Sequence, residues 1–132
     1  MAVKVFLVED NAVMREQLGD ILKTEAQIDL VGIAETEAEA KDWLEKNPDH
    51  WDIALVDLFL LEGTGAGVVR HCRNRLPRQA VLVMTSQPVG SLLHHCRLLG
   101  ADSVYDKNTE LDDLIAHCIG LARNGRERFM WQ

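Results

Sequence analysis

Short apolar runs alternate with amphipathic helical stretches along 132 residues, which predicts an α/β fold: one doubly wound, five-stranded parallel sheet flanked by five helices. Three observations carry this expectation. Strand and helix candidates follow one another in order, unit after unit. The first, third and fourth strand candidates are apolar nearly throughout, as strands covered on both faces must be. No linker, low-complexity segment or further repeat interrupts the rhythm, so one domain with right-handed crossovers accounts for the whole pattern.

The elements follow in order. VKVFLV, Val3 to Val8, reads as the first strand. Asn11 to about Thr24 reads as a helix with Met14, Leu18, Ile21 and Leu22 on one face. Leu30 to Ala34 is a short second strand. Thr36 opens the second helix, where Glu39 completes a capping-box pattern and Ala40, Trp43 and Leu44 form the apolar stripe. Asp52 to Val56 is the third strand, and a helix from about Thr64 to Arg75 carries Val68, Val69, Cys72 and Leu76 on its seam. Ala80 to Met84 is the fourth strand. Pro88 suits the first position of the fourth helix, whose seam is Val89, Leu92, Leu93 and Cys96 and whose stop is Gly100. Ala101 to Tyr105 is the weakest strand. The last helix begins near Thr109 and turns Leu111, Leu114, Ile115 and Cys118 inward.

Composition narrows the function. Fourteen basic and 21 acidic residues leave a net charge of −7, which argues against direct nucleic-acid binding by this domain. Arg123, Arg126 and Arg128 near the C-terminus read as a solvated helix end. No stretch is long and apolar enough to span a membrane, and MAVKVFLVED lacks the features of a signal peptide, so a cytoplasmic protein is expected. Three cysteines without CxxC spacing speak against a disulfide framework or a structural zinc site. His-Cys recurs at His71–Cys72, His95–Cys96 and His117–Cys118. Each cysteine falls on its helix's apolar seam and each histidine one residue off it, so neighbours point apart and the pattern reads as buried thiols rather than metal ligands.

Ligands of a parallel open sheet bind at the carboxyl ends of its strands. There the chain places Glu9 and Asp10 after strand one, Asp57 after strand three, Thr85 and Ser86 after strand four, and Tyr105, Asp106 and Lys107 after strand five. Singly, each reads equally well as a helix cap or a surface group. Together they set several carboxylates, a hydroxyl and a lysine at one edge. Crowded carboxylates need a cation, and an all-oxygen donor set suits a hard ion such as Mg2+. A carboxylate there could attack phosphorus, with a cation and a lysine offsetting the transferred charge.

Four motifs stand in order on these elements: VEDN (Val8 to Asn11), LVDLFL (Leu55 to Leu60), VMTS (Val83 to Ser86) and VYDK (Val104 to Lys107). With them the chain resembles the receiver domain of two-component response regulators over nearly its whole length. The resemblance implies a flavodoxin-like sheet of strand order 2-1-3-4-5 and a receiver domain over residues 1–124, with 125–132 a short tail or the start of a truncated linker. It implies that Asp57 accepts a phosphoryl group from a histidine kinase or phosphotransfer protein. Glu9, Asp10, Asp57 and the backbone carbonyl of Phe59 would hold Mg2+ or Mn2+. Thr85 and Lys107 would bind the phosphoryl group, Thr85 and Tyr105 would form the switch, and Phe59 and Gln87 would bear on the lifetime of the phosphate. The expected output surface is helix four, strand five and helix five, serving a downstream protein effector, an output domain or a homodimer. No turnover of an external substrate is expected.

Two positions depart from the family. Leu61 stands where proline is frequent, which is expected to loosen the loop without removing chemistry, while the expected glycine is present as Gly65. Asn108 follows Lys107 in place of proline, leaving open whether that peptide is cis. Phe129, Met130 and Trp131 read equally as a docking tail, a continuing chain or a helix end packing back. Other functions fit less well. A haloacid-dehalogenase-type phosphatase needs a second acid where Phe59 stands, and an FMN binder needs a phosphate-cradling loop where the acidic EDNAVMRE lies. A pseudo-receiver or relay scaffold acting by protein contact alone is the remaining alternative.

Overall fold

A computed structural model describes residues 2–87 and 90–124. In chain order the elements are β1 (Val3–Val8), α1 (Ala12–Thr24), β2 (Ile28–Ala34), α2 (Glu37–Lys46), β3 (Ile53–Asp57), α3 (Gly65–His71), β4 (Ala80–Thr85), α4 (Gly90–Leu99), β5 (Ser103–Asp106) and α5 (Leu111–Asn124). The strands form one sheet of order β2-β1-β3-β4-β5, and every pairing is parallel. Pro88, Val89 and the C-terminal segment 125–132 lie outside the described residues, and with them the expected start of the fourth helix and the tail with its three apolar residues.

Successive side chains of a strand point to opposite faces. Phe6, Val8, Ala54, Val56, Val81 and Val83 accordingly enter one buried layer, together with residues of α2, α3 and α4. Val5, Leu7, Ile53, Leu55, Leu82 and Met84 enter the other, with residues of α1 and α5. This is why the central strands read as unbroken apolar runs. The edge strand β5 is half-buried at every position, which is why it is the faintest in the sequence.

Caps set the helix starts. The Asn11 side chain accepts the Met14 N–H at 3.0 Å, and Thr36 accepts that of Glu39 at 3.1 Å. Thr64 accepts that of Gly67 at 3.0 Å. Gly100 ends α4 at φ +114, and the Ala101 N–H reaches the Cys96 carbonyl as in a Schellman motif.

Three expectations about the helices change. Ile21 and Leu76 are exposed rather than buried. α3 stops at His71 instead of continuing to Arg75. The reason lies in Arg75, whose guanidinium turns back to the carbonyls of Cys72, Gln79 and Gly100 and to the Asp102 carboxylate at 2.8–3.0 Å. The guanidinium satisfies a carbonyl that the helix end leaves open and ties the following turn to the chain across from it. Cys72, Cys96 and Cys118 are free and buried, and burial pushes the Cys72 thiol up to about 11 and that of Cys118 up to about 12. Such thiols remain protonated at neutral pH.

Candidate functional site

The C-terminal ends of the strands deliver the predicted side chains to one place. Glu9 follows β1, held by its N–H to the Ala34 carbonyl at 3.0 Å, and is 0% exposed. Asp57 closes β3 and is 5% exposed. Lys107 follows β5, its N–H fixed to the Thr85 carbonyl at 2.8 Å. Its ammonium donates to Glu9 Oε1 at 2.6 Å and to Asp57 Oδ2 at 3.1 Å. Asp57 Oδ1 accepts the Phe59 N–H at 3.3 Å, and Glu9 Oε2 accepts the Asn11 N–H at 3.1 Å. Carboxylate oxygens of Glu9, Asp10 and Asp57 lie within 4.8 Å of one another. Among the described residues this acidic trio is the group able to hold a metal ion; the His-Cys pairs form none.

The electrostatics follow from the crowding. Burial raises the Asp57 carboxyl, and the adjacent Glu9 raises it further by hydrogen bond and charge. Lys107 opposes both without overcoming them, and the value stands at about 7. For Lys107 burial alone would pull the ammonium down, but Glu9 and Asp57 outweigh it and hold it above its ordinary value. One internal cation thus faces three acids, and the donor set is all oxygen. That fits a divalent hard cation, which would supply the missing positive charge.

An open cleft of about 310 Å3 leads to the trio, lined by Asp10, Asn11, Asp57, Phe59, Leu60, Leu61 and Lys107. Phe59 is 52% exposed at its rim. Thr85, fully buried, closes β4, and its Oγ1 accepts the Gln87 N–H at 3.1 Å, while the Gln87 side chain is exposed. Tyr105 lies on β5, half-buried against the layer shared with α1 and α5. Every peptide bond among the described residues is trans, that between Lys107 and Asn108 included. The lysine reaches both acids from that backbone, and Asn108 is tied down by its N–H to Asp106 Oδ1 at 2.8 Å.

Leu61 does the opposite of loosening the loop. Its side chain is 90% exposed, yet its N–H donates to Asp10 Oδ2 at 2.6 Å. A proline has no such donor. Three further groups support the site, two of which were not visible in the sequence. Arg15 reaches back from α1 to the carbonyls of Glu9 and Asp10 at 3.2 and 3.3 Å and pairs with Glu35 at 2.9 Å. Glu37 of α2 accepts the Thr64 N–H at 2.7 Å and pairs with Lys41, which holds its carboxyl below the usual range. Gly65 packs so close to the strand end that a Cβ there would meet the Asp57 carbonyl oxygen at 2.1 Å. The family pattern pointed to Gly65; for Arg15 and Glu37 no local signal existed, because both act across elements.

A parallel sheet in this strand order, with a lysine and three acids at its carboxyl edge, defines a protein of the receiver class. Residues 5–119 match the response regulator receiver domain family, and the chain belongs to it. The DNA-binding transcriptional activator DevR/DosR of Mycobacterium tuberculosis is 34% identical over 107 residues, covering 80% of this chain and 48% of that protein. The response regulator protein VraR of Staphylococcus saprophyticus is 28% identical over 130 residues, covering 98% of this chain and 60% of that protein. The signal receiver domain of the response regulator NarL from M. tuberculosis superposes with a TM-score of 0.81 at 22% identity, over 93% of this chain and 98% of that one. This chain spans about half the length of the curated relatives it matches. Among the described residues no helix is long and apolar enough to cross a membrane.

Proposed function

We propose that this receiver domain accepts a phosphoryl group on Asp57 from a phosphohistidine of a kinase or phosphotransfer protein. The observation that carries the reading is the Lys107 ammonium, 3.1 Å from the carboxylate of Asp57, which itself lies within 4.8 Å of Glu9 and Asp10. Glu9, Asp10, Asp57 and the carbonyl of Phe59 are the donors for Mg2+ or Mn2+, and the bound cation would neutralise charge on the carboxylates and on the incoming phosphoryl oxygens.

The chain's own residues do the rest. An ionised Asp57 oxygen attacks phosphorus; an O–P bond forms, the donor's P–N bond breaks, and the imidazole leaves as the neutral ring, keeping the proton that its other nitrogen already carried. Lys107 remains charged and faces the negative charge that develops on the phosphoryl group. Thr85 donates its hydroxyl to a phosphoryl oxygen. The loop that carries it, with Tyr105, then passes the change to the surface of α4, β5 and α5, which engages an effector, an output domain or a second copy. Phe59, half-exposed at the rim, and Gln87 flank the path of an attacking water. Phe59 also supplies no second carboxylate, which speaks against turnover of an external phosphoester. The functional unit in this reading closes with α5 at residue 124.

The test is to incubate the protein with acetyl phosphate and Mg2+ and measure its intact mass. A gain of one phosphoryl group that is absent in Asp57→Ala is expected. No adduct on the unaltered chain, or one that persists in Asp57→Ala, refutes the assignment.

A further inference from the structure

Tyr105 is the chain's single tyrosine. Its hydroxyl lies 2.6 Å from Nδ1 of His117, twelve residues on in α5. The two rings meet edge to face, with centroids 5.9 Å apart and planes at 70°. His117 is half-buried beside the fully buried Cys118, so α5 cannot turn it away without disturbing the core layer to which that cysteine belongs. The ring of Tyr105 is therefore held at two points. Its body packs against the layer shared with α1 and α5, and its hydroxyl ends on a side chain of α5.

The chemistry of the pair is robust to protonation. Burial holds the Tyr105 phenol above its ordinary value, opposed by Ser103 and reinforced by the charges of Asp113 and Glu110, so the hydroxyl keeps its hydrogen at neutral pH. With Nδ1 unprotonated the hydroxyl donates; with Nδ1 protonated the phenol oxygen accepts. The bond survives either state. A change of rotamer at Tyr105 does not leave it intact, because the ring swings the hydroxyl away from α5.

We propose that His117 is a positioning residue for Tyr105: its Nδ1 holds the ring in the rotamer that faces α5, and the ring's reorientation requires this bond to be exchanged. The inference rests on reading Tyr105 as the aromatic that answers the phosphoryl group. It adds a named latch on α5 to that reading. A half-buried hydrogen bond of this kind biases a two-rotamer equilibrium by about five-fold.

A single tyrosine makes the test direct. Protein labelled with 13C at the tyrosine ε carbons gives the signal of Tyr105 alone. Spectra of the unaltered chain, His117→Leu, His117→Gln and His117→Asn are recorded with and without beryllofluoride and Mg2+, and circular dichroism checks the fold of each. Asn sets its Oδ1 where Nδ1 stood; Gln keeps polarity but reaches past that point, so it serves where Leu folds poorly. In the absence of beryllofluoride, His117→Leu and His117→Gln should move the signal toward its position in the beryllofluoride-bound unaltered chain, with an about five-fold rise in the second population. His117→Asn should restore it. Signals of Leu and Gln variants that coincide with the unaltered chain overturn the role of His117. A signal in the unaltered chain that ignores beryllofluoride and Mg2+ overturns the switch reading of Tyr105 instead, and the latch with it.

Discussion

Replacing Asp57 by asparagine should stabilise the metal-free protein. The carboxyl is 5% exposed and its pKa stands at about 7 against an ordinary 3.8, with burial and Glu9 responsible. At 1.36 kcal/mol per unit of pKa, ionising this group in the folded protein costs about 4 kcal/mol more than ionising it in water. Asparagine keeps the size and one acceptor for Lys107 but carries no charge. A gain of about 2–4 kcal/mol is expected at pH 8 without divalent cations. The sign follows from proton binding. Below about pH 4 the group is protonated in both folded and unfolded chains and contributes no difference. Between that pH and about 7 the folded chain retains the proton that the unfolded chain has lost, so the unaltered protein loses stability as pH rises. Above pH 7 both are ionised and the full penalty applies. The advantage of Asp57→Asn should thus be near zero at pH 4 and complete by pH 8. Urea titrations at pH 4, 6 and 8 measure it. Mg2+ should narrow the gap at pH 8 if, as proposed, it binds the folded unaltered chain. A pH-independent gain, or none at pH 8, refutes the electrostatic account of the site.

Three further outcomes test the supports of the site and of the fold. Leu61→Pro removes the amide that donates to Asp10, whereas Leu61→Ala changes only an exposed side chain; urea denaturation should show a loss of about 1–2 kcal/mol for the first and under about 0.5 kcal/mol for the second. Arg75→Ala removes four guanidinium hydrogen bonds, to the carbonyls of Cys72, Gln79 and Gly100 and to the Asp102 carboxylate, and thermal melting should report a loss of about 2–4 kcal/mol. Gly65→Ala sets a methyl group against the Asp57 carbonyl; a loss of more than about 2 kcal/mol is expected in chemical denaturation, together with weaker Mg2+ binding by titration calorimetry.

Much of this protein was legible along the chain because it rests on local chemistry. Strand runs declared themselves because both faces of the sheet are covered, and Asn11, Thr36 and Thr64 start their helices because a short polar side chain reaches an amide only two or three residues away. The acids and the lysine were legible for a related reason: in a parallel sheet all strands end on one edge, so residues up to 98 apart, as Glu9 and Lys107 are, meet there by topology alone. Other features depend on which elements pack together, and no short pattern encodes that. Arg75 ends α3 because Gly100 and Asp102 lie across from it, and Ile21 and Leu76 face water although their spacing suits a buried face. Leu61 reads as a lapse from a proline pattern until its amide is found on Asp10, and the place of His117 beside Tyr105 depends on how α5 lies against β5. The sequence determined which chemical groups the chain brings to one edge of a parallel sheet, since period and topology suffice for that. Only the tertiary structure decided how those groups are held, because hydrogen bonds between elements depend on distances that sequence separation does not set.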